Sequence, residues 1–360
     1  DAVPILGWGP SISLLGPEGD LIRTIHIWEP NTYAPWGIAS YTNNDIYFDG
    51  GYYVDGDSCI TQTLGRIDSS GNLLALNRYI LNGYCPGFPS SEMEVAHDGS
   101  VITWGEDSYF FALKADSDLA LAWCKHFDHH GGIQFIRELP DGDLLAGINM
   151  DTAGAVVARL DPNGNFIWCK SYIRPNGVVQ DCVIESDSSF IITGYTDSIA
   201  STNVLAPLPP DYDPKLFMMK LNGTGDVQWC KGYDSEPKWY ARRGQRIVKG
   251  QDGNYTLLAN IGVSGHYMGY QPFLMKVDQN GDTIWTRSFG MSGYAYETEE
   301  MLASSNGGCI FSGVMNGDLP WPNSSLNFIY KTDSMGHLPC SEHSHSIEVL
   351  NLFPADSSFT

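Results

Sequence analysis

The tripeptide Trp-Cys-Lys occurs three times in the chain, at residues 123–125, 168–170 and 229–231. A thiol beside a cation is the arrangement of a nucleophilic cysteine, because the positive charge lowers the thiol pKa and favours the reactive thiolate. The three triplets, however, stand at the same place in a longer repeated pattern. The sequence therefore predicts packed thiols that serve the architecture of the repeat, not three reactive sites.

The densest set of metal-capable side chains is His126, Asp128, His129 and His130. Adjacent histidines on an extended chain point to opposite faces, so they do not readily share one ion. The Asp-x-Asn-Gly segments at 161–164 and 278–281 resemble the start of a calcium loop, but each continues into a strand without the acidic ligand at the twelfth position. No catalytic motif is recognisable. We expect no metal, no cofactor and no catalytic residue.

The triplets belong to a strand–turn–strand unit whose clearest copies span 158–172, 219–233 and 275–289. Counted from the turn glycine as zero, an aromatic residue falls at plus four and a second bulky residue at plus eight. The residues at plus four, six and eight share one face of the second strand. With substitutions the unit recurs in seven copies, centred on Gly19, Gly71, Leu119, Gly164, Gly225, Gly281 and Gly336.

A second hairpin, recognisable in six copies, alternates with this unit. Two hairpins make a four-stranded meander, which predicts an all-β fold: a β-propeller of four-stranded blades, as a single domain over 1–353 with a linker stub at 354–360. Six complete blades are expected at 36–80, 91–128, 133–173, 181–234, 244–290 and 299–345. Strands from 3–28 and 346–353 would together close a seventh blade, which is favoured over the alternative of six blades.

The tryptophans at plus four are expected to fill the wedges between neighbouring blades, with about 2–3 kcal/mol of stabilisation from the buried area of each. They are Trp123, Trp168, Trp229 and Trp285. On this interpretation the repeat is structural, and function lies where the repeat is interrupted.

The 360 residues include 20 basic and 42 acidic side chains, for a formal net charge of −22. Such a chain repels phosphate backbones, so nucleic-acid binding is not expected. No run of 18 or more apolar residues is present, which predicts no transmembrane segment. Eight cysteines, and a first residue, Asp1, that is not methionine, favour a secreted or outer-surface protein after removal of a signal peptide.

Some cysteines are expected to pair in an oxidising compartment. Cys59 and Cys85 lie in loops of the first complete blade and have no counterparts in the other repeats, which makes them the first disulfide candidates. Cys309 and Cys340, in the last complete blade, are the second possibility.

Long connections interrupt the repeat, the longest at 199–215. Loops of this length are where such a scaffold carries function, and aromatic side chains in loops favour contact with proteins or glycans. The binding candidates are the aromatic residues outside the repeat pattern: Tyr52, Tyr53, Trp239, Tyr240, Tyr267, Tyr270 and Trp321.

A carbohydrate-active enzyme is the alternative function. Glycan hydrolysis uses a pair of carboxylates, which a propeller would place on inner strands near its axis. Four glutamates fall on or near predicted first strands: Glu94, Glu138, Glu185 and Glu300. Structural or solvent-facing roles are nevertheless expected for them.

The pattern Phe-x-x-Lys-Leu-Asp-x-Asn-Gly-x-x-x-Trp-x-Lys-x-Tyr is matched best by 217–233, 273–289 and 156–172. It resembles the propeller repeats of secreted surface proteins of the Bacteroidetes phylum, which are commonly exported by the type IX secretion system. The resemblance covers about residues 10–345. It implies a propeller and export but indicates almost nothing about activity. We hypothesise an exported, non-enzymatic propeller that acts as a binding or structural module at the cell surface. The expected partners are other surface or secretion-system proteins, or glycans.

Overall fold

The computed structural model describes β-strands and the turns that connect them. The described residues are 11–15, 21–26, 32–40, 45–53, 60–79, 89–106, 110–127, 131–150, 154–172, 177–186, 189–196, 215–235, 245–262, 270–290, 294–317, 325–338, 342–343, 347–351 and 356–358. In this part of the chain, no helix is long and apolar enough to cross a bilayer.

The strands assemble mainly into antiparallel sheets of consecutive strands. A hairpin, β1 (Ser11–Leu15) and β2 (Leu21–His26), comes first. Blade 1 consists of β3 (Thr32–Ser40), β4 (Ile46–Tyr53), β5 (Ile60–Ile67) and β6 (Leu73–Tyr79). Blade 2 consists of β7 (Pro89–Val95), β8 (Val101–Glu106), β9 (Phe110–Ala115) and β10 (Leu121–Phe127). Blade 3 consists of β11 (Gly131–Glu138), β12 (Leu144–Met150), β13 (Gly154–Leu160) and β14 (Phe166–Tyr172).

The later strands continue the same order. Blade 4 consists of β15 (Gly177–Ser186), β16 (Ser189–Thr196), β17 (Lys215–Asn222) and β18 (Val227–Ser235). Blade 5 consists of β19 (Arg246–Lys249), β20 (Tyr255–Gly262), β21 (Tyr270–Val277) and β22 (Thr283–Phe289). Blade 6 consists of β23 (Tyr294–Ala303), β24 (Cys309–Gly317) and β25 (Ser325–Lys331). Three short strands end the chain: β26 (Glu342–His343), β27 (Ile347–Asn351) and β28 (Asp356–Ser358).

The fold is an all-β propeller, and the described residues form six blades where the sequence favoured seven. The terminal segments do not meet in a common blade. β1 and β2 form a two-stranded sheet of their own, while β27 lies antiparallel against β18. An outermost strand leaves a row of backbone N–H and C=O groups to be satisfied, and β27 satisfies those of β18. The six-bladed alternative is therefore the correct one.

Two other terminal segments differ from their sequence-based assignments. The sequence predicts a fourth strand of blade 6 that ends near residue 345, but residues 342–343 form β26 and pair with β22 of blade 5. The segment 354–360, expected to be a linker stub, contributes β28, which pairs with β14 of blade 3.

The chain divides into two compact units. The first comprises residues 1–146 and 159–166, and the second comprises residues 147–158 and 167–360. In the first unit, Tyr47 and Leu64 of blade 1 pack with Val101 and Phe111 of blade 2. In the second unit, Ile191 and Met218 of blade 4 pack with Leu257 and Met275 of blade 5. Apolar side chains on facing sheets of each unit thus form its core.

In the described copies, the turn at the centre of the repeat adopts the left-handed conformation that the sequence requires. Gly164, Gly225 and Gly281 have φ angles of 76°, 78° and 78°. Leu119 stands where a glycine was replaced, and its φ of 62° makes it the one non-glycine residue with positive φ in the described ranges. Asp161 closes its turn by accepting hydrogen bonds through Oδ1 from the backbone N–H groups of Asn163 and Asn165, both at 2.9 Å. This is turn chemistry of the Asx type, and it accounts for the calcium-like sequence.

Candidate functional site

The repeated residues of one outer strand contact the turn of the next blade, and we call this contact the seam. At the clearest seam, the Trp168 indole N–H donates to the Gly223 carbonyl oxygen at 3.1 Å. The Lys170 ammonium lies 2.6 Å from Asp226 Oδ1. Tyr172 donates its hydroxyl proton to the carbonyl oxygen of Gly225 at 2.6 Å. Residues at plus four, six and eight therefore all point at one neighbouring turn.

The same contacts recur in other copies. The Trp123 indole N–H donates to the Pro162 carbonyl oxygen at 3.0 Å, and the Tyr79 hydroxyl donates to the Leu119 carbonyl oxygen at 2.5 Å. Lys231 lies 2.5 Å from Asp282. All four repeat tryptophans lie against the turn glycine of the following copy, as the space around that glycine shows: Trp123 at Gly164, Trp168 at Gly225, Trp229 at Gly281 and Trp285 at Gly336. These contacts place the four tryptophans at the seams.

The thiols of the triplets are not activated by the lysines beside them. Adjacent strand residues point to opposite faces, so Lys170 turns toward Asp226 while Cys169 lies on the other side of the sheet. Burial raises the pKa of Cys169 to about 11. Burial also raises the pKa values of Cys124 and Cys230. A neutral thiol is a poor nucleophile, so the triplets offer no reactive site at neutral pH.

The disulfide candidates lie mostly outside the described residues. Cys59, Cys85 and Cys340 belong to this group. Cys309 is a buried thiol whose sulfur lies 3.4 Å from Thr332 Oγ1, and its pairing with Cys340 stays a prediction. Burial raises its pKa to about 11.

Charged residues of the first strands form a network in the first unit. The backbone N–H of Glu138 donates to Glu94 Oε1 at 3.1 Å, and Arg137 lies 3.9 Å from Glu94 Oε2. Glu138 in turn accepts a hydrogen bond of 2.6 Å from the backbone N–H of His97. Burial raises the pKa of Glu94, and the positive charge of Arg137 acts in the opposite direction. The two carboxylates are thus engaged with neighbouring strands.

The second unit carries a similar network. Arg246 binds Glu300 through two nitrogen–oxygen contacts of 2.9 and 3.3 Å, and Lys249 lies 2.9 Å from Glu185. Buried Asp181 accepts a hydrogen bond of 3.0 Å from the backbone N–H of Ile247. The four glutamates considered for glycan hydrolysis therefore accept hydrogen bonds, or pair with cationic side chains, from a neighbouring blade. That role needs no substrate.

The remaining sequence candidates are dispersed. Tyr52 and Tyr53 belong to β4 and Tyr270 begins β21, so these three lie in strands and not in loops. The other loop aromatics, Trp239, Tyr240, Tyr267 and Trp321, fall outside the described residues, as do Asp128, His129 and His130. Within the described ranges, no group of three histidine, cysteine or acidic side chains is arranged to hold a metal ion.

A groove of about 510 Å³ lies between β6 and the neighbouring turn of blade 2. Its walls are β6 residues Leu73 and Leu76 to Tyr79, and the turn residues Leu119 to Leu121. Leu73 and Leu121 are 49% and 54% exposed. Sequence reasoning missed this groove. The available signal was the apolar residue at plus two of several outer strands, a position to which the repeat pattern assigned no role.

No protein-family model matches this chain, and no curated protein matches its sequence. Solved structures with similar folds include a protein of unknown function from Bacteroides caccae, at 9% identity, with 78% of this chain and 89% of that chain covered and a TM-score of 0.45. Another is a protein of unknown function from Dyadobacter fermentans, at 10% identity, with 95% and 86% covered and a TM-score of 0.46. A third is the Pan2 WD40 domain of Neurospora crassa, at 11% identity, with 86% and 91% covered and a TM-score of 0.46. We draw nothing about function from similarities at this level.

Proposed function

We propose that this chain is an exported, non-enzymatic propeller that binds another protein at the cell surface. The observation that carries the proposal is the groove beside β6, because its lining includes two exposed large aliphatic side chains, Leu73 and Leu121. Apolar side chains at a concave surface gain free energy when another protein covers them.

The location and the assembly are part of the same proposal. Export to the outer surface, with envelope or type IX secretion components as partners, rests on the resemblance of the repeat to those of secreted Bacteroidetes proteins. The acidic surface, with a formal charge of −22, supports solubility in such a setting.

Affinity purification from envelope preparations of the source organism tests the binding function. The wild-type chain is compared with a variant carrying Leu73→Asp and Leu121→Asp. Ile284→Asp is the matched control, because Ile284 is 49% exposed on the outer strand β22 and is not among the residues that line the groove. We expect a partner that wild type and control retain and the groove variant loses. Retention of the same proteins by all three chains would rule out this groove as the binding surface.

A glycan-active enzyme is the second candidate, and the raised pKa of Glu94 is the observation that favours it. A raised carboxyl pKa is what a general acid requires. Purified wild type, Glu94→Gln and Glu138→Gln should be assayed against a panel of glycans. Cleavage by wild type that either substitution abolishes would replace the non-enzymatic proposal. We expect no cleavage by any of the three.

A further inference from the structure

The three C-terminal strands each extend a blade that comes earlier in the chain. β26 pairs with β22, β27 with β18, and β28 with β14. All three pairings are antiparallel, and each turns a four-stranded sheet into a five-stranded one. The outer strands of blades 3, 4 and 5 are therefore used as docking edges by the chain itself.

These pairings fall at the same place in the repeat. β28 pairs with Lys170 to Tyr172, which are positions plus six to plus eight from the turn glycine. β27 pairs with Lys231 to Ser235, beginning at plus six. β26 pairs with Ser288 and Phe289, at plus seven and plus eight. One stretch of the repeated outer strand thus accepts an added strand in three blades, from three unrelated sequences.

Blades 1 and 2 have the same stretch of outer strand. The equivalent residues are Asn77 to Tyr79 in β6 and Lys125 to Phe127 in β10. In the part of the chain that the structure describes, β6 and β10 are the outermost strands of their sheets, with no fifth strand beyond them. An exposed edge of this kind is a template for another strand.

Blade 1 adds a second, independent feature. The groove described above includes Asn77, Arg78 and Tyr79, which are the docking positions of β6. Leu73 and Leu121 also line it, and both side chains are exposed. A strand laid along this edge would find backbone partners and a place for its apolar side chains together, a combination typical of peptide recognition by strand addition.

We propose that the outer edge of β6 binds an extended segment of a partner protein, which adds to blade 1 as a fifth, antiparallel strand along Leu73–Tyr79. This inference rests on the proposed binding function and names the class of partner. The chemistry is that of β27, Ile-Glu-Val-Leu-Asn, in which apolar residues stand beside an acidic one. Apolar side chains of the added strand would cover Leu73 and Leu121.

A synthetic fluorescent peptide with the sequence of residues 346–352 is the probe. Its binding to the full chain is followed by fluorescence anisotropy, and its position by backbone hydrogen exchange. We expect saturable binding, with new protection of the amides of Asn77 to Tyr79. Leu73→Asp and Leu121→Asp together should weaken binding about tenfold or more, because the lost burial of a leucine exceeds one tenfold step in affinity. Ile284→Asp is the control and should leave affinity unchanged.

Two outcomes overturn the strand-addition inference. One is the absence of saturable binding. The other is binding without new protection at Asn77 to Tyr79, as would follow if the peptide merely exchanged with β27 on β18. The envelope purification is separate: a partner that depends on Leu73 and Leu121 would keep the binding function even if the peptide failed. Glycan cleavage would remove the non-enzymatic function without affecting the peptide result.

Discussion

The hydroxyl of Tyr172 lies 2.6 Å from the carbonyl oxygen of Gly225, and this hydrogen bond joins the last strand of blade 3 to the turn of blade 4. The acceptor is backbone, so the bond does not depend on which side chain stands at the turn. Tyr79 makes the same bond to Leu119, at a turn where the glycine is missing. The repeat can therefore vary its turn sequence and keep its seam.

Replacing Tyr172 with phenylalanine should lower the free energy of unfolding by about 1 kcal/mol. The Tyr172 side chain is buried, and the substitution removes the hydroxyl that donates to the Gly225 carbonyl oxygen. The ring itself should still fit, because Phe289 occupies the equivalent position in blade 5. Urea unfolding followed by tryptophan fluorescence measures the change. Equal midpoints for wild type and variant would show that the bond contributes nothing net.

Substitution of Trp168 by alanine should destabilise the chain by about 2–3 kcal/mol, less than for a fully buried tryptophan because the side chain is partly exposed. The indole packs against the turn at Gly225 and donates to Gly223. Ile167→Ala is the control, because Ile167 is next to Trp168 in the chain and its own side chain is 52% exposed. Peptide binding at β6 should not change. A stable Trp168→Ala variant that loses partner binding would show that Trp168 serves binding and not the stability of the seam.

The sequence predicted the repeat well because its period depends on local chemistry. A left-handed turn and an aromatic residue four positions later leave a signal in the chain, and that signal located even the Leu119 turn. The pairing of terminal strands leaves no such signal. The sequence of residues 347–351 indicates a strand. Several outer strands offer it the same backbone groups, so its pairing with β18 was not predictable. The seven-bladed expectation failed for this reason.

The candidate site was also only partly predictable. Glu94 and Glu300 were found as acidic residues of first strands, but Arg137 and Arg246, which engage them, come from neighbouring blades. Pairing between blades depends on the three-dimensional register, which the sequence does not show. The groove depends on the exposure of Leu121, and nothing in the sequence distinguishes Leu121 from other apolar residues of the strands.

Acid should weaken the seam between blades 3 and 4. The hydrogen bond from Lys170, followed by those from Thr224 and Asn222, lowers the pKa of Asp226 from 3.8 to about 2. A carboxyl group with a depressed pKa in the folded state stabilises that state fully above its ordinary pKa. Its contribution is lost as the pH falls from about 4 toward about 2. Urea midpoints measured across this range should fall more steeply for wild type than for Asp226→Asn.

Salt provides the control for that experiment. The Asp226 side chain is well exposed, so its attraction to Lys170 is screened by added ions. The difference between wild type and Asp226→Asn at neutral pH should therefore shrink as ionic strength rises. Parallel pH profiles for the two proteins at low salt would show that this pair makes no contribution.

The cysteines of the described residues should resist alkylation until the protein unfolds. Burial raises the pKa of Cys169 to about 11, so almost none of it is thiolate at pH 8, and Cys230 is more deeply buried. Iodoacetamide labelling followed by peptide mass spectrometry should show slow modification of both in the native protein and rapid modification in guanidinium chloride. The denatured sample controls for the intrinsic reactivity of each peptide. Fast native labelling of Cys169 would instead mean that Lys170 activates its neighbour, and the triplet would then have to be treated as a reactive site.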